Sequence, residues 1–407
     1  MMVVAAVLDR HGRPIARANG LAISVVTDAG GVIGLRDEWT DLLLETARPS
    51  VFLSWEWMTT WLEEFSPTRT RPRVLLVRRV ADGRLVGLAP LCESAARGPL
   101  AVRTLSFMGT GVGADHLAVL ERIGAEVEVR SAVADWLLSD RGWDVLEFPR
   151  LEDQTAQWLE TAVGLLGREL ASVSRTADMC PYIALPGSWE DFLRTLRSDA
   201  RKDLGRRWRR LRERGDVAIE RVQQPEQLER AWHVLLRLHD ERRQVAGGRS
   251  AFTAPRSLAF HRVFLERAAE RGWLRLYLMR VGDQYVAAEY CLSLGGRVVD
   301  LQTGFDATWS RFGVSTLLLG HAIQQAIVEG ATEFDFLRGG EAYKQQRWAA
   351  ALRCDKSLVV WRRRPRVMAV VAARRWAATA ISGIRRRWPG RSPQEVAHSA
   401  DQAPKDG

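Results

Sequence analysis

The stretch 297–344, RVVDLQTGFDATWSRFGVSTLLLGHAIQQAIVEGATEFDFLRGGEAYK, decides how the chain is read. A β-type run, Arg297 to Phe305, leads to a short turn holding Arg311 and Gly313. A helical run, Val314 to Glu329, follows, with Leu319, Ala322, Ile323, Ala326 and Ile327 recurring at helical spacing. A second β-type run, Glu333 to Leu337, ends in Arg338-Gly339-Gly340. Strand, glycine turn, helix and strand form a crossover unit. Such a unit leaves backbone amides unpaired where its helix begins, and a phosphate can bind there. Ser315 and Thr316 set hydroxyls at that start. Gly313 lets a ligand come close to the backbone, and Arg311 is placed to pair with a phosphate. A nucleotide-like cofactor is the expectation.

Upstream, Trp273 to Val281 alternates with Leu274, Leu276 and Leu278 on one face, and Gly282-Asp283 is a turn signal. Tyr285 to Leu294 reads as the next strand, and Gly295-Gly296 as a two-residue hairpin turn. The first half repeats this order. Strands are expected at Arg73 to Val80, Arg84 to Cys92 and Ala101 to Phe107, with a turn at Asp82-Gly83. A glycine-rich loop, Gly109 to Gly113, a helix from Ala125 to Leu138 and a strand from Trp143 to Phe148 complete it. Helical patterns precede each set: Trp55 to Phe65 in the first half, Glu226 to Arg243 and Arg256 to Arg271 in the second. The spacing predicts an internal duplication. The fold class is therefore α/β (α+β): tandem domains, each a mixed, mostly antiparallel sheet flanked by helices. The expected boundaries are a disordered start over 1–20, domains at 21–180 and 181–361, and a basic amphipathic tail over 362–407.

The chain has 407 residues, enough for two domains, and its 46% apolar content is ordinary for a globular protein. Its net charge of +10 is local, because residues 362–391 hold ten arginines and no acid. Without them the remainder is neutral, so the high pI is no argument for a nucleic-acid-binding fold. The tail alternates basic clusters with Val367, Met368, Val370, Val371, Trp376, Ile381 and Ile384. It reads either as a helix lying on an anionic membrane or as one packed on the protein itself. A second basic segment, Arg194 to Arg214, carries Phe192, Leu193, Leu196, Leu204, Trp208 and Leu211 at helical spacing. It is a solvated amphipathic helix, or else it holds an anionic ligand or RNA. The four cysteines, Cys92, Cys180, Cys291 and Cys354, stand far apart and form no C-x-x-C pair. The histidines show no metal spacing, and no metal is expected. No run is long and apolar enough to span a membrane, so the expected location is the cytoplasm, with the tail at most peripheral to the inner face of the membrane.

Three segments carry a family resemblance: VFLSWEWMTTWLEEF at 51–65, GRLVGLAPL at 83–91, and GFDATWSRFGVSTLLLGHAIQQAIVEGATEFDFLRGGEAYKQQRW at 304–348. Together they resemble the GNAT acyltransferase superfamily, in particular its BioF-two-like, cellulose-biosynthesis-associated branch. That branch is similar to the Fem-type aminoacyltransferases, which also carry two GNAT-like halves. The resemblance spans roughly Leu21 to Trp361. It implies an acyl-CoA such as acetyl-CoA as co-substrate. Its pyrophosphate would be wrapped by Arg311, Phe312, Gly313, Val314, Ser315 and Thr316, and its pantetheine would lie where the strands at 297–305 and 333–337 splay apart. Two departures stand out. The first-half loop Gly109 to Gly113 runs into Ala114-Asp115-His116 rather than a helix, so that copy is expected to be degenerate. Gly340 stands where the family commonly has an acid between the glycine and the glutamate.

Acyl transfer from a thioester to an amine needs a proton acceptor, donors to the thioester oxygen, and a proton for the departing thiolate. Glu289, mid-strand among Ala287, Ala288, Tyr290 and Cys291, is the candidate general base or a structural ion-pair member. Asp335, inside an apolar strand, would bind acceptor or orient Arg338. Tyr343 could protonate the thiolate. Lys344 could bind an acidic acceptor or the cofactor phosphate. Asp306 reads as a turn residue, and Asp115 with His116 either face an acceptor groove or are structural. The expected activity is N-acylation of a small amine, amino sugar or cell-envelope precursor. The alternatives are a Fem-like transferase using aminoacyl-tRNA, and a catalytically silent GNAT-like module serving polysaccharide biosynthesis or export.

Overall fold

The computed structural model describes residues 16–18, 20–65, 70–95, 101–165, 169–245, 252, 254–338, 344, 347–348 and 351–374. The chain forms two units: one holds the chain up to Asp178 and resumes at Cys354, and the other runs from Met179 to Arg353.

In the second unit, strands Val217–Val222, Leu274–Val281, Gln284–Leu294 and Arg297–Phe305 pair antiparallel in that order. Glu333–Asp335 then joins parallel to Arg297–Phe305. The expected hairpin glycines adopt left-handed backbone, with φ 57° at Gly282, 58° at Gly295 and 75° at Gly296, a region that L side chains avoid. Helices Pro225–Val245 and Pro255–Glu270 fill the connection after the first strand, and Val314–Val328 is the crossover. Leu317, Leu318, Ile323 and Ala326 of the crossover helix pack with Tyr277, Met279, Ala287, Cys291 and Val298 of the sheet. Gly304 lets helix Pro225–Val245 descend onto its strand: a Cβ there would meet the His239 amide nitrogen at 2.6 Å.

The first unit repeats the order of elements, but its strands fall into two separate ladders. Leu21–Val26, Val74–Arg79 and Leu85–Ala89 pair antiparallel. Leu91–Ala95 pairs antiparallel with Arg103–Phe107, which runs parallel to Val145–Glu152. Helix Glu126–Ser139 is the crossover. The single strand expected over Arg84 to Cys92 is two strands. Pro90 separates them, because proline has no amide hydrogen to continue a ladder.

Three differences from the sequence reading concern the ends of the domains. A strand Ala16–Ala18 pairs with Leu21–Val26, so regular structure starts before Leu21. Strand Ala351–Arg362, assigned from sequence to the second domain, pairs with Val145–Glu152 of the first unit. It buries Leu358 and Val360 there, and so distant a pairing leaves no local mark. The tail begins with a helix over 365–374. Its Val367 and Val371 pack with Val102 and Val145. Arg364 and Arg366 pair with Asp144 at 3.2 and 3.4 Å, and Arg374 pairs with Glu147 at 3.4 Å. Of the two readings of the tail, 365–374 follows the one that packs on the protein; 375–407 and the first fifteen residues lie outside the described residues.

Candidate active site

The turn before the crossover helix is a short 3-10 segment, Ala307–Phe312. Asp306 caps it, accepting from the Thr308 amide at 2.9 Å and from Gln284 Nε2 at 2.7 Å, as a turn residue should. Gly313 follows with φ 67°, and no acid stands in the first turn of helix Val314–Val328. The first intrahelical bond runs from the Leu317 amide to the Gly313 carbonyl at 3.0 Å. The amides of Val314, Ser315 and Thr316 lie ahead of it, where a helix has no carbonyl to offer. Of the six expected loop residues, Phe312 and Val314 bury their side chains in the core and can offer only backbone. Arg311 is exposed, its guanidinium 4.8 Å from the Phe312 ring.

The basic helix, Ser198–Arg212, lies against this turn. A Cβ built on Gly313 would collide with the Arg207 guanidinium, and Arg210 and Arg214 stand 5.9 and 5.4 Å from the Phe312 ring. Arg207 and Arg347 both bond the Asp203 carboxylate, at 2.6 and 2.7 Å. Burial works to raise Asp203, but the hydrogen bonds from Arg347 and Arg207 outweigh it and hold the carboxyl at about 2. The sequence left this helix without a place; the structure sets its arginines beside the glycine turn. An open groove of about 600 Å³, lined by Gly205, Trp208, Arg209, Arg212 and Glu213, runs along the same helix.

The strands expected to splay apart share only a short ladder, because the second of them ends at Asp335. Arg297–Phe305 and Glu333–Asp335 pair only from Arg297–Glu333 to Val299–Asp335. Beyond that row the longer strand continues to Phe305, bonded to Gln284–Leu294 alone among the described strands. The ladder opens at Asp300. A bulge falls at the same level, shifting register between Tyr290 and Cys291, and a bulge bends its strand and re-aims side chains.

Glu289 is fully buried beside this opening and accepts from the Thr303 hydroxyl at 2.8 Å. Burial, then the Asp300 charge, push its carboxyl well above the usual range. The same two causes, burial first, push up the Cys291 thiol. Carboxylate oxygens of Glu289 and Asp300 and the Cys291 sulfur lie within 4.8 Å of one another. Two oxygens and a sulfur could by chemistry hold a divalent ion, but the raised proton affinities of Glu289 and Cys291 make a proton-holding cluster the better description. Asp300 was missed in the sequence, although it breaks the apolar run Val298–Leu301 just as Asp335 breaks its own.

Asp335 belongs to a buried ion-pair network. It is fully buried, accepts from the Leu337 amide at 2.8 Å and pairs with Arg353 at 2.7 Å. Arg297 and Glu333 complete the network. This is what a buried carboxylate requires, and it fixes the end of the short strand. Lys344 is buried, its Nζ donating to the Phe336 carbonyl at 3.3 Å. Tyr343 and Gly340 lie outside the described residues.

The first unit differs at each corresponding point. Its glycine loop packs on a tryptophan helix: Trp57 and Trp61 donate to the Gly109 and Thr110 carbonyls at 3.4 and 2.8 Å. Its crossover helix opens with Glu126 and Glu128, which would repel a phosphate. Asp115 pairs with Arg150 at 3.3 Å. His116 bonds Asp355 through its amide and its Nδ1, at 2.8 and 2.6 Å. Asp115 ties the loop to strand Val145–Glu152, and His116 ties it to strand Ala351–Arg362.

Residues 198–345 match the acetyltransferase (GNAT) domain family, so the second unit carries a GNAT-type acyltransferase domain. The fold is shared with FemX, at 13% identity and a TM-score of 0.55 over 79% of this chain and 95% of that one. A conserved protein of unknown function from Bacteroides thetaiotaomicron aligns at 11% identity and a TM-score of 0.54, over 83% of this chain and all of its own. No curated protein matches in sequence. No described helix is long and apolar enough to cross a membrane.

Proposed function

We propose that this chain is an acyl-CoA-dependent N-acyltransferase that moves an acetyl or longer acyl group to the amine of a small molecule, amino sugar or cell-envelope precursor. The observation that carries this reading is the opening of the strand ladder after Val299–Asp335, with the amides of Val314 to Thr316 at the head of the crossover helix. The amides, with Arg311 and Arg207, would take the diphosphate. Pantetheine would enter between the diverging strands, where strand amides not used by the ladder could donate to the thioester oxygen. Glu289 would accept the proton of the attacking amine. Tyr343 is assigned by position as donor to the thiolate. Lys344, held to the Phe336 carbonyl, would steady the chain beneath the slot. Attack is direct, in a ternary complex, and needs no nucleophilic side chain.

The test is a calorimetric titration with acetyl-CoA and longer acyl-CoAs, then thiol release against amine and amino-sugar acceptors. Binding of no acyl-CoA would remove the reading. A Fem-like use of aminoacyl-tRNA is the second reading, and the arginine-lined groove along Ser198–Arg212 favours it. It predicts tRNA binding that weakens steeply with salt; tRNA binding absent at low salt excludes it.

A further inference from the structure

We propose that Asp300 is a positioning residue for the acyl transfer: its carboxyl shares a single proton with Glu289, so that the pair, rather than Glu289 alone, takes up the proton released by the attacking amine. The proposal rests on the acyltransferase reading and deepens it.

Three independent placements carry it. Asp300 is the first residue past the last paired row between the parallel strands, so it stands at the mouth of the slot. Its register partner across the antiparallel ladder is Cys291, two residues from Glu289, and the bulge between Tyr290 and Cys291 lies at this level. The reactive atoms of Glu289, Cys291 and Asp300 gather within 4.8 Å. Glu289 is fully buried; its Oε1 accepts from the Thr303 hydroxyl, while among the described residues no donor reaches its Oε2. An orphaned carboxylate oxygen in such a place is costly, and a proton held between the two carboxyls satisfies it. Like charges this close do not both ionise readily, which agrees with the upward displacement of Glu289.

The surrounding groups fit. Tyr277, the register partner of Glu289, and Cys291 are both held protonated by burial. His321 stacks edge-on against Tyr277, and its burial favours the neutral ring. His239, on helix Pro225–Val245, is pulled down to about 4 by burial. Arg242 of that helix brings a positive charge, which opposes burial at Glu289.

In the step, the amine nitrogen attacks the thioester carbon. The C–N bond forms, the C–S bond breaks, and its electron pair leaves on sulfur. At a pH where the pair has given up its shared proton, the proton lost by nitrogen passes to it and is held between the two carboxyls. The thiolate takes a proton from solvent, and solvent removes the proton from the pair. A base made of two interacting carboxylates binds its proton more tightly than an isolated one and so matches an amine better near neutral pH.

The experiment has two arms. Infrared titration of the wild type should show a protonated carboxyl band persisting to pH values well above the ordinary carboxylate range. The band should move to lower pH in Asp300→Asn and disappear or move in Glu289→Gln. In turnover, the acidic limb of the kcat/KM profile of Asp300→Asn should shift to lower pH by one unit or more, with a plateau at least tenfold below wild type. A wild type with no such band, or an Asp300→Asn variant that keeps both band and limb, overturns the proposal while leaving the transferase reading in place. A wild type that binds no acyl-CoA overturns both.

Discussion

Replacing Gly313 by alanine tests the anion site most directly. At φ 67° the residue is left-handed, and an added Cβ would strike the Arg207 guanidinium. The backbone cost of a non-glycine residue there is about 1–2 kcal/mol. Moving Arg207 breaks its bond to Asp203, a pair with side chains 18% and 13% exposed, costing up to ~1 kcal/mol more. The sum is about 2 kcal/mol, or roughly 4–8 °C in Tm for a unit of this size. Gly330 is the control: it ends the same helix at φ 77° with nothing within 4 Å, so Gly330→Ala should cost only the backbone share of about 1–2 kcal/mol and lower Tm less than Gly313→Ala does. Both variants go through thermal unfolding and acetyl-CoA calorimetry. Disturbing one charge-assisted phosphate contact should weaken Gly313→Ala binding about tenfold to a hundredfold, and Gly330→Ala should bind as wild type. If both bind alike, the diphosphate does not sit at Gly313. Making Gly313→Ala in an Arg207→Ala background should return the stability loss to the backbone share.

Glu289 has a raised folded proton affinity, so the native state holds a proton that the unfolded chain releases. Its contribution to stability is full below the ordinary glutamate value of 4.5 and is lost as pH rises towards the folded value; denaturant midpoints of Glu289→Gln should lack that decline. Asp203 is the opposite case. Its stabilisation holds above 3.8 and is lost as pH falls towards about 2, so acid unfolding should be shallower in Asp203→Asn. Asp335→Asn leaves Arg353 and Arg297 facing a neutral group, and urea unfolding should show about 3–5 kcal/mol lost. Val367→Ala at the head of the tail should cost about 2 kcal/mol; an unchanged urea midpoint would mean this helix does not pack on its unit.

The fold was readable wherever local signals set it. The turns at Gly282-Asp283 and Gly295-Gly296 fixed three strands, and the glycine before Val314 fixed the crossover. The site was readable only where one segment held it. Glu289 announced itself as a carboxylate within an apolar strand. Asp300 did so too, but its meaning depended on pairing with Cys291 and on a bulge that no periodicity reports. Arg207 belongs to the turn at Gly313 only through tertiary packing, and the partner of strand Ala351–Arg362 lies far back at Val145–Glu152. The ion pairs of Asp335 were not legible because Arg353 and Arg297, which hold its oxygens, are both distant in sequence.

Two crossover helices stand at equivalent steps of a repeated topology. One opens Gly-Val-Ser-Thr and the other Ala-Glu-Val-Glu. A carboxylate in the first turn of a helix answers the positive pole of its dipole, so the earlier copy carries a built-in counterion and is complete as it folds. The later copy leaves that pole for a visitor.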